Sequence, residues 1–239
     1  MKLKNIILIA SVAILAVSCY GRKDDYKPFL AYNATVTFRP QADGSYYLRQ
    51  DDSTALIVLN EQLQEYPFKT EKRALIQYRF DENEQNGNKV DGYKFTKNVT
   101  LTYLDTLLTK IPEKYDAAKE ATYGDAPVGM YIDPSLFPTT MIEDGYLNVC
   151  FVIPVGTLEK PHTITLLTGV NPNDPYEVEL RHNSNDDDMY SEAFCMAAFP
   201  LKDLPDTGGK TVKLTLKWNS LVTGSISSTQ FDYCSRTDW

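Results

Sequence analysis

Short runs in which apolar and polar side chains alternate with a period of two, broken by Gly, Pro, Asn and Asp, recur through most of this chain. Val212, Leu214, Leu216 and Trp218 alternate with Lys213, Thr215 and Lys217. Such a run places its apolar members on one face of a strand and its polar members on the other. Leu147, Val149, Phe151 and Ile153 repeat the pattern, as do Tyr176, Val178 and Leu180. With His162 to Leu167, Ser191 to Phe199 and Ser225 to Cys234, the second half reads as six or seven half-buried strands. Alternation of this kind predicts an antiparallel β-sandwich; the continuous apolar runs of a parallel sheet are missing.

The first half reads as a different all-β unit. Ala34 to Phe38, Ser45 to Arg49 after an Asp43-Gly44 turn, and Ala55 to Leu59 predict a three-strand meander. Leu59, Leu63 and Tyr66 share one side of a short helix closed by Pro67. Ala74, Ile76, Tyr78 and Phe80 form the apolar face of a fourth strand with Arg73, Gln77 and Arg79 opposite, and Asp81 to Gly92 is a polar loop. Val99, Leu101 and Tyr103 mark a fifth strand. Three strands, a helix and two strands is the order of the five-stranded OB barrel. Pro112 opens a predicted connector helix through Lys119, and Gly124, Pro127, Gly129, Pro134 and Pro138 prevent any long helix beyond it.

The first residues read as a signal peptide and take no part in the folded chain. Lys2 and Lys4 precede an apolar run from Ile6 to Val17, too short to span a bilayer. Leu15-Ala16-Val17-Ser18-Cys19 resembles the bacterial lipobox, which implies cleavage before Cys19, acylation of that residue, and a mature chain of 221 of the 239 residues. Several acyl chains on one cysteine make a durable anchor. Lys23-Asp24-Asp25 resembles the export signal that carries Bacteroidetes lipoproteins to the outer face of the outer membrane; the alternative is a solvated tether. The expected layout is a signal peptide at 1–18, a lipidated tether at 19–29, the OB domain at 30–108, a connector at 109–127 and the sandwich at 128–239.

Charge separates the two halves. Residues 26–108 hold 10 basic and 11 acidic side chains, whereas residues 109–239 hold 10 and 19. With a formal charge of −8 overall, the chain lacks the cationic footprint that a general nucleic-acid binder needs.

The lipobox, the OB-like half with Tyr78-Arg79-Phe80 ending its fourth strand, and the sandwich half with Leu180-Arg181-His182-Asn183 before an Asp run together resemble the NigD-like lipoproteins. That resemblance implies an N-terminal OB domain and a C-terminal β-sandwich in a Bacteroidetes protein. The family takes its name from a gene linked to bacteriocin production, and no catalytic residues come with it.

Residues with chemical potential are few. Of two histidines, His182 shares the parity of Val178 and Leu180, so it faces inward, with a ring nitrogen available to a loop carbonyl. Gly208-Gly209-Lys210-Thr211 lacks the first glycine of a phosphate loop and precedes a strand, so it reads as a hairpin turn. Asn183, Asn185, Asp187 and Asp188 have calcium-loop spacing, but the sixth and twelfth positions of an EF-hand fail, which leaves a solvated turn as the better reading. No cofactor is expected. Of Cys150, Cys195 and Cys234, one is necessarily unpaired; Cys195 with Cys234 is the preferred bond, against three separate thiols.

Two functional classes follow. The preferred one is a non-enzymatic binding or accessory module for a glycan or protein, with Tyr46, Tyr47 and Arg49 as the ligand face of the barrel. The other is a surface-polymer hydrolase using Glu177 and Glu179, which lie side by side facing solvent where nothing raises either pKa. A bacteriocin-immunity role rests on the family name.

Overall fold

A computed structural model describes residues 31–60, 68, 70–80, 89–156, 160–187 and 190–239. The signal peptide, Cys19, Lys23, Asp24 and Asp25, the predicted helix through Leu63 and Tyr66, and most of the 81–92 loop lie outside the described residues.

The first half closes a barrel from β1 (Tyr32–Pro40), β2 (Tyr46–Arg49), β3 (Thr54–Val58), β4 (Lys72–Phe80) and β5 (Phe95–Thr106), in the order β1-β2-β3-β5-β4. The first three strands form the expected antiparallel meander. β5 then runs parallel to β3 and antiparallel to β4, and β4 returns to β1. Val36, Phe38, Leu48, Leu56, Ala74, Ile76, Tyr78, Val99 and Leu101 fill the interior. Each fully buried Val, Leu, Ile or Phe side chain among them contributes about 2 kcal/mol from apolar area removed from water. A bulge opposite Gln77 and Tyr78 adds one residue to β5. Beyond it the faces exchange: Leu104 packs on the core, and Tyr103, read from its parity as inward, stands 51% exposed.

The connector differs from the helix expected after Pro112. β6 (Leu108–Thr109) and β7 (Glu113–Lys114) add parallel edge strands to the two sheets of the sandwich. The helix begins only where Asp116 caps it, accepting from the Ala118 amide at 2.9 Å, and consists of a 3-10 turn at Ala117–Lys119 and a single α-turn, α1 (Glu120–Tyr123). Ladder bonds, such as that from the Tyr115 amide to the Thr168 carbonyl at 2.8 Å, outweigh a helix propensity of a few tenths of a kcal/mol per residue.

The second half contains β8 (Gly129–Met130), β9 (Met141–Glu143), β10 (Tyr146–Val155), β11 (Thr163–Thr168), β12 (Glu177–Asn183), β13 (Ser191–Pro200), β14 (Val212–Asn219) and β15 (Ile226–Tyr233). One sheet runs β6-β13-β10-β8 with β9 also on β10, and the other runs β15-β14-β12-β11-β7. Leu147, Val149, Phe151 and Ile153 meet Leu166, Val178, Leu180, Leu214, Leu216 and Trp218 between them. The sandwich is not wholly antiparallel: β12 and β14 pair parallel, because the chain leaves to build β13 in the opposite sheet before returning. The Gly208-Gly209 turn therefore joins two sheets and is not a hairpin; both glycines have left-handed φ, +61° and +73°.

Candidate functional site

β4 carries Arg73 on the face away from the barrel core, where sequence parity predicts a solvated side chain. It is instead fully buried, because the sandwich covers that face. Its guanidinium donates to Thr37 Oγ1 at 2.7 Å, Asn148 Oδ1 at 3.2 Å and Glu143 Oε2 at 2.7 Å. Burial raises the pKa of Glu143, and the Arg73 charge opposes that rise.

Asp144 and Gly145 form the two-residue turn between β9 and β10, at φ +52° and +75°. Both residue types tolerate the left-handed region that a tight hairpin of this length demands. The turn pushes the Asp144 carboxylate, 1% exposed, against the barrel. Arg39 Nη2 lies 3.0 Å from it, Arg49 Nη1 3.1 Å and Arg236 Nε 3.6 Å. Arg236 also forks onto Glu71, with both contacts at 2.7 Å, and the Tyr146 hydroxyl donates to the same carboxylate at 2.6 Å. Burial alone would raise Glu71 and lower Arg236. The hydrogen bonds and charges between them win in both cases, holding Glu71 below and Arg236 above its ordinary value. Trp239 closes the assembly, with the Arg236 guanidinium 4.4 Å from its ring centre and the Tyr146 ring at 5.3 Å.

Beside this network opens a cleft of about 490 Å³. The barrel supplies Arg49, Asp51 and Asp52, and the sandwich supplies Glu143, Asp144, Asp232 and the segment 234–238. The arginines of its floor are committed to ion pairs, while Asp52, Asp232 and Asp238 stand exposed around the rim. Cys234 lines the cleft without a histidine beside it. The arrangement is an acid-rimmed recess lined by both halves.

Of the three residues read as a ligand face, Tyr47 and Arg49 come together and Tyr46 does not join them. Tyr46 lies 5.3 Å from Phe38 and packs on the barrel core. Tyr47 meets Tyr93 edge to face at 5.4 Å, and the Arg49 guanidinium lies 6.0 Å from that same Tyr93 ring. Arg49 pairs with Asp52 at 2.6 Å as well as with Asp144. Glu177 and Glu179 are each held by a cation, Lys217 at 2.7 Å and Arg181 at 2.9 Å. The three described cysteines are all free, so the preferred Cys195–Cys234 bond is not formed; Cys195 sits on β13 packed against the sandwich core, and Cys234 is exposed beyond β15.

The calcium-spaced loop sends its side chains to different partners. Asn183 donates to the Thr122 carbonyl, Asn185 to that of Pro161, and Asp187 turns to His162; Asp188 lies outside the described residues. His182 is buried and inward, as its parity predicts, with Nδ1 3.4 Å from the Pro127 carbonyl. Burial pushes its pKa down to about 4, aided by His162 and opposed by that carbonyl. The contact between the two histidines was invisible in sequence, since His162 precedes β11 and meets His182 only through the β11–β12 pairing. The Asp144-Gly145 pair was readable as a turn signal, but nothing local shows that three arginines from distant parts of the chain converge there.

The profile described as the NigD-like C-terminal beta sandwich domain matches residues 111–233, and that of the NigD-like N-terminal OB domain matches residues 35–93. Solved structures agree. A candidate toxin-related protein from Parabacteroides distasonis is 30% identical, covering 86% of this chain and 94% of its own, with a TM-score of 0.68. A NigD-like immunity protein from Bacteroides caccae is 19% identical over 87% and 99% of the two chains, with a TM-score of 0.62. A candidate lipoprotein from Bacteroides fragilis is 14% identical over 88% and 100%, with a TM-score of 0.57. Among curated proteins no sequence matches the chain.

Proposed function

The chain belongs to the NigD-like family, and from that premise we propose that it is a lipid-anchored, non-enzymatic binding or accessory module, held in the outer membrane through Cys19 and displayed at the cell surface. The cleft beside Asp144 carries the binding reading: both halves of the molecule line it, and its floor charges neutralise one another instead of activating a nucleophile. The anchor rests on the lipobox-like run ending at Cys19, and display on Lys23-Asp24-Asp25. No helix among the described residues is long and apolar enough to cross a membrane. The acidic balance of the sandwich disfavours a polyanionic ligand and favours a glycan or a protein.

Glycan and peptide arrays probed with the protein test the cleft. Binding that falls tenfold in an Asp52→Asn, Asp232→Asn double variant supports it, and undiminished binding moves the ligand elsewhere. Palmitate labelling lost in Cys19→Ala supports the anchor, and protease shaving of intact cells tests display. The name of the Bacteroides caccae protein favours a second reading, bacteriocin immunity. Deletion that sensitises cells to a bacteriocin supports it, and unchanged sensitivity removes it.

A further inference from the structure

Three contacts link four ring nitrogens in a line. His182 Nδ1 faces the Pro127 carbonyl at 3.4 Å, His182 Nε2 faces His162 Nδ1 at 2.8 Å, and His162 Nε2 faces Asp187 Oδ2 at 3.1 Å. The ring centres are 5.1 Å apart with planes 24° from parallel. With the facing nitrogens at 2.8 Å, the rings meet edge to edge along one line and do not stack face to face.

With all three contacts hydrogen-bonded and Asp187 ionised, proton counting has one solution. The carbonyl and the carboxylate only accept, so both outer nitrogens carry hydrogen. The inner pair needs one hydrogen between its two nitrogens. That makes three, whereas two neutral imidazoles hold two. With two protons, one contact faces lone pair against lone pair; with four, two N–H groups collide.

We propose that His162 and His182 together hold three ring protons at neutral pH, a single buried positive charge balanced by Asp187, and that this unit latches three segments of the sandwich and frees them when the extra proton leaves. The segments are 125–128, through Pro127; 160–162, through His162; and 184–187, through Asp187, whose Oδ2 also accepts from the Gly156 amide at 2.7 Å. Asp187 is 2% exposed and His162 10%, so water substitutes poorly for either partner. Two of the other charges nearby are already engaged. Lys160 donates to the Asp186 carbonyl, and Arg181 binds Glu179 and Glu120. Asp125 lines the recess beside His182, while Glu159 and Asp188 lie outside the described residues. The low value of His182, about 4, agrees with a fourth proton being refused until strongly acid pH.

The chain has two histidines, so the imidazole nitrogen-15 spectrum of untagged protein holds four signals. Three protonated nitrogens and one bare at pH 7 are expected; two and two at pH 7 overturn the proposal. Raising the pH until the third proton leaves is expected to speed hydrogen exchange at the Gly156 amide at least tenfold beyond base catalysis. Unchanged protection overturns the latch. Asp187→Asn is expected to show two protonated nitrogens at pH 7, and three in that variant overturn the balancing role. Should that variant fail to fold, the wild-type titration decides alone.

Discussion

Replacing Asp144 by Asn removes one negative charge from among three arginines while keeping a residue that accepts the left-handed turn at φ +52°. Breaking a buried ion pair costs about 3–5 kcal/mol, because the stranded partner stays desolvated. Here each arginine keeps another carboxylate, Arg39 and Arg236 through Glu71 and Arg49 through Asp52. The cost therefore falls at the low end, about 3 kcal/mol, and for a unit of this size it corresponds to a fall in Tm of roughly 6–12 °C. Denaturant titration and calorimetry measure both. Because the carboxylate is 1% exposed, the deficit is expected to persist in about 1 M salt, where exposed pairs are screened. Barrel and sandwich are also expected to melt less cooperatively, since the lost contacts to Arg39 and Arg49 cross between them. A loss below about 1 kcal/mol, or one erased by salt, refutes the assignment of Asp144 as the hub.

Gly145→Ala forces a Cβ to 2.7 Å from Trp239 Cζ2 and 2.8 Å from the Arg236 Cβ, at φ +75°; a loss of about 2 kcal/mol is expected, with stronger acrylamide quenching of Trp239, and unchanged quenching contradicts it. His182, held at about 4 when folded against an ordinary 6.5, binds fewer protons than in the unfolded chain between those values. The contribution of this refused proton is thus full at pH 6.5 and falls by about 3 kcal/mol as pH drops to 4; urea titrations across that window are expected to lose this slope in a folded His182→Gln variant. Burial pushes the Cys150 thiol up to about 12, while Cys234 is exposed. Ellman's reagent is expected to react rapidly with Cys234, to lose that phase in Cys234→Ser, and to reach Cys150 only in denaturant; fast labelling of Cys150 counts against its placement.

What could be read in sequence was whatever depends on local period. The alternation in Leu147 to Ile153 and Val212 to Trp218 placed the right residues in the core, because a strand's two faces follow from its pleat. Tyr103 escaped that logic, since one bulge residue exchanged the faces of β5. Glu113 and Lys114 escaped it because ladder partners arrive from β11, over 50 residues away.

The candidate site was less legible for a related reason. Arg73 and Arg49 occupy polar faces, and alternation reports only that a face avoids its own core. Whether water or another domain covers that face is outside its reach. Asp144, Glu71 and Arg236 are ordinary surface residue types, each unremarked among its neighbours, and the histidine pair lies 20 residues apart in the chain.

The amino-acid sequence by itself thus determined an all-β chain with a barrel followed by a sandwich, the inward residues of most strands, and the acidic balance, since these depend on spacing and composition. Only the tertiary structure decided that the barrel's polar face is buried against the β9–β10 turn, that Asp144 gathers arginines from both halves, and that two histidines share a proton-counted line to Asp187. Charges in sequence carry no partner, and their worth depends on distance and burial, which only the packed chain supplies.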